Sequence, residues 1–263
     1  MPDYSTELQF ALDVAQIGGK IAIEHYRADP QRKRKPDGSW VTEADLSTET
    51  TMRAHIASAW PDHNIHGEEE GLSSAGGGEP VDGAPTWVID PIDGTNNFMS
   101  DIPVWATLVA LRINGRSVVG VAHAPALNET YDAAEGLGAR CNGHLIRVDE
   151  VASLDKATIF FGGEKGFYRH HLEGLQERLV REAWRTRGFG DFWGHVLVAR
   201  GAGHVMLEPQ VSLWDVAALE VILGEAGGKL THIDGSPFEV RGSCLSSNGV
   251  LHDAVVAMAT AAR

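Results

Sequence analysis

Residues 104–113 and 117–122 are two apolar runs joined at Asn114-Gly115. An Asn-Gly pair between such runs is the strongest short-range hairpin signal, because both residues tolerate the positive φ that a tight turn demands. A sheet is expected here. Trp87-Val88-Ile89 adds a short buried strand, and a second turn signal at Asn142-Gly143 closes the strand-rich stretch. Beyond it, strands near 157–161, 184–187, 204–207 and 229–233 alternate with helical patterns at 168–181, 191–200, 214–226 and 252–262. Upstream, residues 5–27 place Leu8, Ala11, Leu12, Ala15, Ala22 and Tyr26 at mostly helical spacing, and residues 43–59 repeat the pattern with Leu46, Thr50, Ile56 and Ala57. Thr42, with Asp45 three residues on, gives the second helix a capping-box-like start. Residues 71–78 are too glycine-rich for a regular element and read as a mobile surface loop. The expectation is a layered α/β fold with two lobes, residues 1–150 and 151–263, that share one interface and have no Pro/Ser linker between them.

A chain of 263 residues with 43% apolar content can bury a substantial core, as one large domain or two packed halves. Its two cysteines, Cys141 and Cys244, make no disulfide framework and suit a reducing compartment. No basic region followed by an apolar core opens the chain, and no run approaches the ~20 apolar residues that span a bilayer. A cytoplasmic protein without a membrane partner is expected. The net charge of −14 repels a phosphate backbone, which argues against nucleic acid as a partner. The basic cluster Arg32-Lys33-Arg34-Lys35 is short and reads as a solvated linker. An acidic protein that acts on an anionic substrate needs cations, so metal ligands become the question.

Carboxylates at the ends of apolar runs answer it: Glu68 in Gly67-Glu68-Glu69-Glu70, Asp90 and Asp93 in Val88-Ile89-Asp90-Pro91-Ile92-Asp93-Gly94-Thr95, and Asp215 in Ser212-Leu213-Trp214-Asp215. Apolar flanks make each semi-buried, and buried ions are costly unless a cation such as Mg²⁺ compensates. Pro91 fixes one backbone angle between the two aspartates and Gly94 permits a sharp turn, so both carboxylates can face one point. A calcium loop over Asp90–Asp101 fails, because its third, fifth and twelfth positions hold Ile92, Gly94 and Asp101. The pairs His63/His66 and His170-His171 lack companion ligands at zinc spacing and read as surface residues.

Four blocks, in order, resemble those of the inositol monophosphatase family. They are Lys35-Pro36-Asp37-Gly38-Ser39 with Val41-Thr42 and Asp45; Trp87 to Phe98; Leu213 to Ala218 with Glu225-Ala226-Gly227-Gly228; and Ser247-Asn248-Gly249. The resemblance implies an αβαβα sandwich, a homodimer, activation by two or three Mg²⁺ ions with Mn²⁺ as a possible substitute, and hydrolysis of a small-molecule phosphate monoester. Carried over by motif position, Glu68, Asp90 and the Ile92 carbonyl would hold one metal and Asp90, Asp93 and Asp215 a second, with a weaker third ion near Glu68. Thr95 would help activate the attacking water, with Glu68 and Asp45 in the relay. Gly94 and Thr95 would offer backbone N–H groups to phosphate oxygens, and Asp93 and Asp215 would also border the substrate. Two cations about 4 Å apart stabilise both the attacking and the leaving oxygen of an in-line displacement.

The second half departs from the inositol-specific pattern. Arg187-Gly188-Phe189-Gly190-Asp191-Phe192-Trp193 places a carboxylate and two aromatics where small residues are usual, and Glu208 matches the family's substrate-contacting glutamate. Two carboxylates suit a cationic or hydrogen-bond-donating alcohol. This block resembles the histidinol-phosphate phosphatases within the same family, so the expected substrate is L-histidinol phosphate, gripped by Asp191 and Glu208. An inositol-preferring or broad monophosphatase is the alternative, and a bland reading has Asp191 only capping the helix that begins there. A non-catalytic metal-binding protein is a third reading, disfavoured by the intact acidic set.

Overall fold

The computed structural model describes residues 2–28, 32–35 and 40–261; Pro36–Ser39 of the first family-like block lie outside the described residues. The chain opens with α1 (Ser5–His25), β1 (Arg32–Arg34), β2 (Trp40–Thr42), α2 (Glu43–Ala59), β3 (Asn64–Gly67), β4 (Gly71–Ser74), β5 (Thr86–Asp93) and α3 (Thr95–Met99). A meander follows: β6 (Ala106–Ile113), β7 (Arg116–Ala124), β8 (Glu129–Ala134), β9 (Gly138–Cys141) and β10 (His144–Leu145). The second half holds β11 (Thr158–Phe161), α4 (Glu164–Arg169), α5 (Glu173–Glu182), β12 (Arg185–Arg187), α6 (Asp191–Ala199), β13 (Val205–Ser212), α7 (Leu213–Glu225), β14 (Lys229–Thr231), β15 (Arg241–Ser247) and α8 (His252–Ala261).

Strands β3 to β10 form an eight-stranded sheet ordered β10-β9-β8-β7-β6-β5-β3-β4, and the later strands form a five-stranded sheet ordered β12-β11-β13-β15-β14. The expected hairpin at Asn114-Gly115 joins β6 and β7, with Ile113 paired to Arg116 and both turn residues at positive φ. Helices α1 and α2 cover one face of the large sheet; α7, with α6 beside it, lies between the other face and the small sheet. The far face of the small sheet is closed by an apolar cluster that includes Phe167, Leu175, Leu179, Val255 and Met258 from α4, α5 and α8. These are five layers, αβαβα. One core cluster runs from Leu108 and Tyr131 of the large sheet through Leu219 and Val196 to Phe160 and Met206 of the small one, so the halves share a continuous interior. No helix among the described residues is long and apolar enough to cross a membrane.

Several expectations are corrected. Residues 71–74 are not irregular: they form β4, an edge strand paired with β3 from Asn64↔Ser74 to Gly67↔Gly71. Short edge strands tolerate glycine because main-chain bonds along one side suffice. The expected helix over 168–181 is broken between α4 and α5, where His171 takes φ 56 and Leu172 N–H returns to the Phe167 carbonyl at 2.8 Å. Helix α2 has the expected limits, and Ile56 of its expected apolar stripe is buried and Ala57 half-buried, but the stripe as a whole is not the expected one. Leu46 and Thr50 are exposed, while Asp45, Thr48, Glu49, Met52, Arg53 and Ile56 are buried. Its inward stripe is largely polar, so hydrophobic periodicity could not find it. His63 and His66 are half-buried, against Trp60 at 4.8 Å and Trp214 at 5.6 Å between ring centroids. The basic cluster is a strand, β1, whose last neighbour, Lys35, enters the site described below.

Gly120 of β7 sets how closely α7 lies on the large sheet. A Cβ there would collide with the Ala218 backbone of α7, its carbonyl oxygen and carbon. Gly120→Ala must push a helix off a sheet, an overpacking cost of about 1–3 kcal/mol. It is expected to lower the melting temperature by roughly 2–10 °C at this chain length. Gly163→Ala, with nothing within 4 Å of the added carbon, should leave it unchanged by calorimetry.

Candidate active site

Asp90 and Asp93 stand three residues apart on β5, a spacing that would place them on opposite faces of a regular strand. The pairing with β6 shows why they do not oppose each other: Asp90 faces Leu108 and Asp93 faces Ala106, so β5 carries one extra residue between them. This bulge sits at Pro91, which has no N–H to lose from the ladder, and Thr107 donates to the Pro91 carbonyl at 2.9 Å. The extra residue restores the shared face. Asp90 then accepts the Ile92 N–H at 3.0 Å, and Gly94, at φ 86, turns the chain into α3. A Cβ on Gly94 would stand 3.0 Å from the Val104 carbonyl oxygen as well as in a strained backbone.

Two further aspartates reach the site from helix starts. Asp45 is the third residue of α2 and Asp215 the third of α7, and each spends one oxygen on its own helix cap. Asp45 Oδ2 accepts Thr42 N–H at 2.7 Å and Thr42 Oγ1 at 2.6 Å; Asp215 Oδ2 accepts Ser212 N–H at 2.7 Å. The cap fixes the rotamer and leaves Oδ1 for other partners. Asp90, Asp93 and Asp215 offer oxygens that all lie within 4.8 Å of one another. Burial, then the charges of Glu68, Asp93 and Asp215, push Asp90 well above the usual carboxylate range. Burial followed by Asp191 and Asp215 does the same to Asp93, and burial pushes Asp215 to about 7. Three desolvated carboxylates that repel one another, with oxygen-only donors, fit a hard divalent cation.

Glu68 borders the same cavity of about 200 Å³ but stands outside that tight trio. Lys35 Nζ donates to Glu68 at 2.8 Å and to Glu69 at 2.7 Å. The turn that carries them is held from beneath by Glu49 of α2, whose carboxylate accepts Glu69 N–H at 2.8 Å and Glu70 N–H at 2.9 Å. Arg53 Nε binds Glu49 at 2.8 Å, and its guanidinium also reaches the Gly71 carbonyl and Ser73 hydroxyl. Gly67 is required there, because a Cβ would fall on the Glu49 carboxylate. Sequence reasoning missed Glu49, Arg53 and the contact of Lys35. The (i, i+4) spacing of Glu49 and Arg53 signals an ion pair, but nothing in it tells that the pair is buried.

Thr95 Oγ1 donates to the Ile92 carbonyl at 3.1 Å and faces Asp45 Oδ1 at 3.4 Å, and burial pushes Asp45 to about 6. The second lobe contributes Asp191 and Glu208. Asp191 does not cap α6, whose cap residue is Gly190; its carboxylate accepts Asn97 Nδ2 at 2.8 Å and its own φ is 55. That left-handed backbone is uncommon outside glycine, although Asp tolerates it better than most. Glu208, on β13, accepts Asp191 N–H at 3.3 Å and packs over the bare Cα of Gly162. Burial pushes Asp191 to about 6 and Glu208 well above its ordinary value. Phe192 N–H donates to Asp93 Oδ2 at 2.7 Å, a tie from α6 of the second lobe to β5 of the first. The structure therefore brings all ten expected residues, Asp45, Glu68, Asp90, Ile92, Asp93, Gly94, Thr95, Asp191, Glu208 and Asp215, around this cavity or into direct contact with its lining. His195 and Gln210, which the sequence did not single out, line it as well.

Asp93→Asn removes one charge yet keeps an oxygen to accept the Phe192 N–H. In protein stripped of divalent cations, relief of repulsion is expected to raise the melting temperature at pH 7 by about 2–4 °C, the shift for ~1 kcal/mol at this size. Thermal melts in excess chelator test this, and an equal or lower midpoint would show that the trio is not repulsive.

Residues 3–262 match the profile of the inositol monophosphatase family. The chain is 39% identical to a histidinol-phosphatase of Streptomyces coelicolor over 96% of each chain, and 39% identical to one of Mycobacterium tuberculosis over 95% of this chain and 96% of that one. It is 35% identical to a fructose-1,6-bisphosphatase/inositol-1-monophosphatase of Thermotoga maritima over 95% and 94%. Among solved structures, a Thermotoga maritima IMPase superposes with a TM-score of 0.86 at 32% identity over 98% of each chain. The chain is a phosphatase and belongs to the inositol monophosphatase family.

Proposed function

We propose that the protein hydrolyses L-histidinol phosphate to L-histidinol and phosphate with Mg²⁺, in histidine biosynthesis. The observation that carries this reading is the pair Asp191, half-buried, and Glu208, buried, two carboxylates beside the aspartate trio, where a leaving alcohol would lie. Histidinol bears an amine and an imidazole, and a cationic group between the two carboxylates offsets a charge that burial otherwise makes costly. The 39% identity to two histidinol-phosphatases supports the same substrate. The family resemblance supports a cytoplasmic homodimer.

Glu68, Asp90, the Ile92 carbonyl, Asp93 and Asp215 are the groups that would hold two Mg²⁺ ions, with a third near Glu68 and Mn²⁺ as a substitute. Bound there, the ions would supply Lewis acidity to the phosphoryl and leaving oxygens and acidify the attacking water. The chain's own part is positional. Water oxygen attacks phosphorus, the bond to the alcohol oxygen breaks, and the water's protons are shared between the phosphate and the departing alcohol. Thr95, between the Ile92 carbonyl and Asp45, can take a proton from the water while passing its own to Asp45, whose pKa near 6 suits a base at neutral pH. Gly94 and Thr95 offer backbone N–H groups to the phosphate oxygens, with Asp93 and Asp215 at their side.

Phosphate release from histidinol phosphate is expected to exceed that from inositol 1-phosphate by at least tenfold in kcat/KM, and to require Mg²⁺. Asp191→Asn and Glu208→Gln should each raise KM for histidinol phosphate by roughly 10–100-fold, the size of one charged hydrogen bond. A clear inositol preference in the wild type would sink the substrate. Asp93→Asn should abolish Mg²⁺-dependent turnover of every ester, and retained turnover would refute the metal assignment.

A further inference from the structure

His195 lies one helical turn beyond Asp191 on α6, so the two side chains share a face and both border the cavity. Its ring is almost wholly enclosed, 2% exposed. Nδ1 is fixed from behind by Ser246 Oγ on β15 at 2.7 Å, and Ser246 is itself fully buried. Nε2 makes no hydrogen bond to the described residues, and it is not one of the side-chain atoms sealed away without a partner, so on a ring that lines the cavity it is free to meet a ligand. Burial pushes the ring's pKa down to about 4, so it is neutral at working pH and adds no positive charge beside Asp191 and Glu208.

We propose that His195 is a specificity-determining residue: its Nε2 accepts a hydrogen bond from the nitrogen-bearing end of the leaving alcohol and completes a three-sided grip with Asp191 and Glu208. This rests on the phosphomonoesterase reading above. A protonated primary amine presents three N–H donors, and the cavity wall presents three acceptors to meet them. In the tautomer whose Nδ1–H donates to Ser246 Oγ, the Nε2 lone pair is left free for the cavity. A polyol phosphate places hydroxyls there without a charge, so it gains less from the two carboxylates and leaves them poorly compensated.

Two near-isosteric variants separate a substrate contact from a packing role. His195→Asn keeps a polar atom near the position of Nδ1, and with it the bond to Ser246, but reaches no further. His195→Gln places a polar atom near Nε2 and gives up the Ser246 bond. With histidinol phosphate, His195→Asn is expected to raise KM by roughly tenfold with kcat within twofold, and to weaken histidinol binding in calorimetry by a similar factor. His195→Gln should recover most of the loss, and neither should change KM for p-nitrophenyl phosphate by more than about twofold. Equal losses on both esters, or a larger loss in His195→Gln than in His195→Asn, would make the ring structural and overturn the inference. A wild type that prefers histidinol phosphate while His195→Asn keeps that preference overturns the inference alone. A wild type without that preference overturns the substrate reading, and the inference with it.

Discussion

Mutual repulsion among Asp90, Asp93 and Asp215 governs this structure. With their oxygens within 4.8 Å, two ionised carboxylates repel by about 3 kcal/mol at an effective dielectric near 20. That is a sizeable part of the ~5–15 kcal/mol by which a folded domain exceeds its unfolded chain. Such a cluster survives only if other interactions hold each carboxylate in place, and each has its own device. Asp90 and Asp93 sit on either side of a bulge in a strand buried on both faces. Asp215 is tied to the cap of α7, and Asp93 to the first turn of α6. The sandwich architecture follows the same need, since helices on both faces of the large sheet shield the strand ends from water. A divalent cation converts this tension into attraction, which is why the most costly part of the fold is also its chemical centre.

On the proposed function, the support for the site falls into two sets of elements, one for the reaction and one for selectivity. The support around Glu68 comes from α2 together with Lys35: the buried Glu49 and Arg53 hold the turn, Lys35 binds Glu68 and Glu69, and Asp45 reaches Thr95 from the same helix. On the proposed function, the leaving-group side is arranged by the small sheet and α6, through Asp191, Glu208 and His195. Phe192 N–H on Asp93 is where the two sets touch. A change in the second set can therefore alter which alcohol departs while the aspartate trio keeps its geometry.

The hairpin, the helix limits and the acidic residues were legible because each has a local signature: Asn-Gly between apolar runs, a threonine with an aspartate three residues on, and aspartates at strand ends. What was not legible depends on partners distant in sequence. Helix α2 turns a largely polar stripe inward because the Glu68 turn lies over it, so its apolar spacing found Ile56 but misplaced Leu46 and Thr50. Residues 71–74 join the sheet because β3 offers an edge, which outweighs their glycine content. The bulge at Pro91 was foreshadowed only as a fixed backbone angle; its effect, an extra residue that returns Asp93 to the face of Asp90, needs the register with β6. His195 looked like one more residue in a helical run, and only the fold shows that its ring closes a wall of the cavity.

The left-handed backbone of Asp191 carries a consequence for how such enzymes can diverge. At φ 55 a β-branched or bulky side chain is strained, and glycine, asparagine and aspartate are the residues that settle there at least cost. Asparagine and glycine are each one nucleotide change from aspartate. Both discharge the carboxylate without disturbing α6, while most other replacements must first rebuild the turn. On the proposed function, the least costly single steps from this residue thus lead toward leaving groups that carry no charge, whereas a long basic side chain at the same place would add backbone strain to the reversal of charge.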